Sequence, residues 1–150
     1  MRCDMKYPVR VFFLSYHNNY CRSQMAEAFM SFCGRERVRV GSGGILPQQI
    51  HPLTFQVMDE VGIPLYRPSS VQIDMVTLIH SDLIVVLCND RIERCPRFPA
   101  SYSSIHWNFV DPLVMDTSTI LDFRRIRDLI RMHVLELCKQ FDLPCSQTSF

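Results

Sequence analysis

The stretch from Val11 to Glu27 constrains this chain most: an apolar strand, Val11-Phe-Phe-Leu-Ser15, runs through a polar loop, Tyr16 to Cys21, into a helix that opens at Arg22. A continuous apolar run bounded by a loop marks a strand buried on both faces, and such strands belong to parallel sheets covered by helices. The loop itself predicts a binding site. Successive backbone N–H groups delivered to a helix N-terminus form a concave positive cradle, and Arg22 adds a planar fork able to hold two oxygens of a tetrahedral anion. Phosphate, arsenate and sulfate are the natural guests.

The rest of the chain repeats the strand–helix theme. A helix is expected over Ser23–Cys33, stopped by Gly34, then a short strand over Val38–Gly41 ending at a Ser-Gly-Gly turn. Pro52–Val61 reads as a helix with Pro52 in its first turn and Gly62 just past its end. A short helix over Val71–His80 leads to the strongest strand, Leu83–Cys88. Asn89–Ser104, with two prolines and many polar residues, predicts a long mobile loop, and Ile105–Trp107 a short fourth strand. From Thr119 to Phe141, Phe123, Ile126, Ile130, Val134, Leu137 and Phe141 keep helical spacing, with Pro144 as the stop. Alternation of this kind implies parallel pairing with right-handed crossovers. The expected fold is a three-layer α/β sandwich with a four-stranded parallel sheet, its ligand crevice beyond the carboxyl ends of the strands.

A chain of 150 residues suits a single domain, with a core over about residues 8–142 and a flexible tail from 143 to 150. The longest apolar runs are far too short to cross a bilayer, and the first residues lack a signal-peptide pattern, so no membrane association and a cytoplasmic location are expected. A net charge of +1 gives no general attraction to nucleic acid. Arg124, Arg125, Arg127 and Arg131 read as a solvated helix face paired with Asp122 and Asp128. The seven cysteines are odd in number and lack zinc-knuckle spacing, which favours reduced thiols over a disulfide framework. His51, His80 and His133 have no partners at ligand spacing, so neither a metal nor another cofactor is expected.

Several segments, taken in order, resemble one family. The Ser15–Arg22 loop is similar to the signature loop of the low-molecular-weight protein tyrosine phosphatase superfamily, most closely its thioredoxin-coupled arsenate reductase branch. Ser42-Gly43-Gly44, Val57–Ile63, Ser81–Cys88, Cys88–Pro96, His106–Pro112 and Phe123–Asp128 continue the match. In that family a cysteine ends the first strand and attacks the oxyanion. Counting back from Arg22 puts Tyr16 in its place; aligning on the strand and on His17-Asn18 puts Ser15 there, the preferred register, with a loop one residue longer. Neither register restores a thiol.

The resemblance implies roles residue by residue. Ser15 stands at the nucleophile position, while His17, Asn18, Asn19, Tyr20, Cys21, Arg22 and Ser23 line the oxyanion loop, with Ser23 either donating to the anion or capping the helix. Asp111, in the Asp-Pro loop, is the proton donor to the leaving group. Cys88 and Cys95, with six residues between them, match the paired cysteines whose disulfide thioredoxin reduces. Glu27 and Ser42 match positions around a potassium site of some arsenate reductases, although that site's other acid has no clear counterpart here.

A thiol can fall from a pKa near about 8.5 to roughly 3.5–7.5 beside a helix N-terminus, whereas a serine hydroxyl stays protonated and needs a neighbouring base, for which His17 is the candidate. Serine also cannot begin a disulfide relay. The expectation is therefore an oxyanion-binding relative, weakly active or inactive. The alternative is an active thioredoxin-linked reductase or phosphatase using Ser15 or Cys21, the latter favoured as a thiolate by its place at the helix start. Cys88 and Cys95 are expected to rest reduced and separated, bridging only under an oxidant.

Overall fold

The computed structural model describes residues 6–15, 21–44, 49–65, 75–91, 94–112 and 118–143. Among these, strand β1 (Val9–Ser15) leads to helix α1 (Arg22–Gly34), strand β2 (Val38–Gly44), helix α2 (Pro52–Glu60), helix α3 (Met75–Ile79), strands β3 (Leu83–Leu87) and β4 (Ser104–Trp107), and helix α4 (Ile120–Gln140). The four strands form one sheet in the order β2-β1-β3-β4, and every pairing is parallel. Ser15 lies opposite Gly44 on one side and Leu87 on the other, so the functional ends of three strands are level.

Both faces of the sheet are covered, as the unbroken apolar runs require. Val9, Val11 and Phe13 of β1, with Val85 and Leu87 of β3, join the larger core with Met25, Phe29 and Met30 of α1 and Ile130, Val134 and Leu137 of α4. The alternate residues Phe12, Leu14, Ile84 and Val86 face the other way onto Leu78 of α3, with Phe98 and Tyr102 packed against them. These two aromatic residues anchor the segment that the sequence leads one to expect as a mobile loop. Leu143, where the tail was expected to begin, is buried in the larger core; Pro144 and the residues after it lie outside the described residues. Among the described residues no helix is long and apolar enough to cross a membrane.

Boundaries differ from expectation where backbone rather than side chain decides. β2 continues through Ser42-Gly43-Gly44 because its ladder with Phe13, Leu14 and Ser15 continues. Gly34 does not stop α1 through a left-handed turn: it is the last helical residue, and Arg35 takes the positive φ of 50°. Gly62, by contrast, has the left-handed φ of 74° that a glycine after α2 accommodates. α4 opens with Thr119 as N-cap, where Asp122 accepts from the Thr119 backbone N–H at 2.8 Å.

Candidate active site

β1 ends at Ser15 and α1 starts at Arg22, which bring the two ends of the loop together at the carboxyl edge of the sheet. Ser15 is fully buried, and its Oγ donates to Ser23 Oγ at 2.9 Å. Ser23 is therefore inside the first turn of α1 and bonded to Ser15; the N-cap position belongs to Cys21, whose side chain makes no capping bond. Tyr16, His17, Asn18, Asn19 and Tyr20 lie outside the described residues.

The Arg22 guanidinium is also fully buried. One terminal nitrogen donates to the Phe109 carbonyl at 2.9 Å and the other to Asp111 Oδ2 at 3.3 Å. Asp111 is nearly buried, so this is an interior ion pair, whose loss on one side strands the other charge. The expected trio of Ser15, Arg22 and Asp111 is thus gathered at one end of the sheet, and the Phe109 carbonyl joins it. No sequence pattern singled out that carbonyl, because any residue type supplies one.

Cys21 departs from expectation. Burial pushes its thiol far up, the carboxylate of Asp111 adds to this, and a hydrogen bond with Thr54 and the charge of Arg22 only partly oppose them. The helix-start setting does not yield a thiolate, because desolvation outweighs it.

The cysteine pair is a second correction. Cys88 and Cys95 are not reduced and separated: they are joined by a disulfide, with Cα atoms 5.7 Å apart. Cys33 is disulfide-bonded as well, and among the described residues Cys21 and Cys138 carry buried thiols. The expectation of reduced thiols fails at Cys88 and Cys95 because the segment after β3 folds back, with Phe98 and Tyr102 packed on the smaller core.

Around the bridge, His106 Nε2 meets the Cys88 carbonyl oxygen, and Nδ1 lies 3.5 Å from Asp90 Oδ2. Asp90 and its contact with His106 escaped the sequence reading. Glu27 accepts a hydrogen bond from Ser42 Oγ. The two groups at the potassium positions are therefore bonded to each other, and among the described residues no further His, Cys, Asp or Glu gathers with them into a three-ligand group.

Comparison with known proteins agrees with this architecture. A family profile described as low molecular weight phosphotyrosine protein phosphatase matches residues 10–144. An arsenate reductase of Staphylococcus epidermidis is 40% identical over 113 residues, covering 75% of this chain and 84% of the relative. A solved arsenate reductase in the phosphate binding state has a TM-score of 0.75 at 27% identity, covering 89% of this chain and 98% of the other. The thioredoxin-dependent arsenate reductase of Corynebacterium glutamicum gives 0.71 at 26% identity, covering 93% of this chain and 65% of the other.

Proposed function

Since the chain belongs to the low molecular weight phosphotyrosine protein phosphatase family, we propose that it is an arsenate reductase-like protein that binds a tetrahedral oxyanion in the Ser15–Arg22 loop and turns it over weakly or not at all. The observation that carries this reading is the hydroxyl at the end of β1. Ser15 is buried and hydrogen-bonded to another hydroxyl, Ser23, which is no general base. An alcohol so placed keeps its proton and is a poor nucleophile.

Binding does not need the missing thiol. Arg22 opens a helix of thirteen residues, and its guanidinium and the helix's positive end suit arsenate, phosphate or sulfate. Asp111 beside Arg22 is the proton donor if a leaving group must be protonated. The Cys21 alternative is disfavoured because burial holds that residue as a neutral thiol. The Cys88–Cys95 disulfide gives a dithiol protein such as thioredoxin a bond to attack. The same reading places the protein in the cytoplasm, with no nucleic-acid or membrane partner.

Calorimetric titration with arsenate, phosphate and sulfate, with Arg22→Ala as control, tests binding. Absence of heat at millimolar anion, or equal binding by the variant, overturns it. Hydrolysis of an aryl phosphate, and arsenate reduction with thioredoxin, test turnover. Weak or no wild-type activity and a gain in Ser15→Cys are expected, and in that background Asp111→Asn should lower hydrolysis by about 10²–10⁴-fold, the range of a positioned general acid. Robust wild-type turnover abolished by Ser15→Ala would instead establish a serine nucleophile.

A further inference from the structure

The β3–β4 edge carries a set of donors that oxyanion binding does not use. Asp90 follows β3, His106 lies in β4, and the disulfide brings Cys95 back beside them. One ligand atom from each of Asp90, Cys95 and His106 lies within 4.8 Å of the other two. The three line a cavity of about 340 Å³.

The ring of His106 is oriented at both nitrogens. Nε2 faces the Cys88 carbonyl, which can only accept, so Nε2 is the donor there and Nδ1 is the nitrogen that faces Asp90. An imidazole nitrogen and a carboxylate oxygen 3.5 Å apart are placed to share one metal ion. A backbone carbonyl on the far nitrogen is the arrangement that fixes the tautomer and orientation of metal-bound histidines. With Zn–N and Zn–O bonds of about 2.0–2.1 Å, tetrahedral geometry sets those two donors about 3.3 Å apart, close to the observed separation.

The third donor is masked, because the Cys95 sulfur is bonded to Cys88 and a disulfide sulfur carries no negative charge. We propose that reduction of the Cys88–Cys95 bridge opens a site for a thiophilic divalent cation of the zinc class on Cys95 Sγ, His106 Nδ1 and the Asp90 carboxylate. The electrons come from a dithiol reductant. Its thiolate attacks one sulfur, its second thiol resolves the mixed disulfide, and the products are two cysteine thiols and the reductant's own disulfide. Metal binding then replaces the Cys95 S–H bond with a metal–sulfur bond and releases that proton to water. Arg97 lines the same cavity, and its charge opposes a bare cation less once a thiolate and a carboxylate have neutralised the metal's two charges. The bound metal holds Cys95 away from Cys88, so it also blocks re-formation of the bridge.

The Cys88→Ser chain cannot form the bridge and keeps the Cys95 thiol without added reductant. Titrated with Co²⁺, it is expected to bind one equivalent with thiolate-to-cobalt charge-transfer absorption, displaced by Zn²⁺. Adding His106→Gln or Asp90→Asn should weaken binding by at least about tenfold. Wild type reduced with a phosphine should give the same spectrum, which keeps the test independent of how Cys88→Ser folds, and oxidised wild type should give none. A charge-transfer band that persists in Cys95→Ser, keeps full affinity in His106→Gln, or appears in oxidised wild type overturns the proposal. So does the absence of binding in both Cys88→Ser and the reduced wild type.

Discussion

Gly34 and Arg35 divide between them two tasks that helix ends commonly give to one glycine. Gly34 has ordinary right-handed backbone, φ −82°, and is small because a Cβ there would stand 2.2 Å from Val38 Cγ1 and 2.7 Å from Val38 Cβ. Arg35 takes the positive φ, and its N–H donates to the Ser31 carbonyl. Opposite effects are expected from two neighbouring substitutions. Gly34→Ala should cost about 1–3 kcal/mol by overpacking, read as a lower urea midpoint with unchanged slope. Arg35→Gly should instead stabilise the fold by up to about 1 kcal/mol, because it relieves a residue held in a sparsely populated region. Unchanged midpoints in both variants would mean that the chain relaxes around this corner.

At the scale of elements, α4 grips α2 through charge as well as through its apolar stripe. Arg124 and Arg127 both reach Glu60, the last residue of α2, and Arg127 also donates to the Val57 carbonyl. The hydrogen bond from Arg124 does most to hold the Glu60 carboxyl below its ordinary value; desolvation, next in size, opposes it, and the hydrogen bond from Arg127 with the charges of both arginines adds to the lowering. A depressed folded pKa means that the unfolded chain binds the proton more readily, so the contribution is present above about pH 4.5 and fades as pH falls through the folded value. Glu60→Gln should therefore be less stable than wild type at neutral pH, with the gap closing in acid. Urea midpoints measured across that window check it, and a gap independent of pH would remove Glu60 from the account.

The same helix shows what local pattern can carry. Its stripe of Phe123, Ile126, Ile130, Val134 and Leu137 was legible because helical spacing is a property of the segment itself. The burial of Arg127 was not, since its partners Val57 and Glu60 sit on another element. At the site, Ser15, Arg22 and Asp111 could be named from strand ends and motif resemblance. So could the pairing of Cys88 with Cys95, though not that the two are already bridged, and the Asp90–His106 contact could not be named at all, because both depend on how the segment between β3 and β4 folds back. For Cys21, helix position pointed toward a thiolate and burial, invisible in the sequence, decided otherwise.

Over the whole molecule, β1 is an interior strand that lies between β2 and β3, yet it is the first strand among the described residues. Its partners arrive at very different times: Val11 pairs with nearby Val40 but also with distant Leu83, and α4 closes the larger core last. Non-local pairing of this kind delays folding until the distant partner exists. On the ribosome, the early apolar strand thus emerges without the neighbours that bury it. Stalled nascent chains of increasing length should stay sensitive to protease until α4 has cleared the exit tunnel, then become resistant in a single step. A resistant intermediate before β3 emerges would show that β1, α1 and β2 stand alone. Without one, the first half of this protein leaves the ribosome as a client for chaperones, and its yield in a cell depends on how quickly translation delivers the second half.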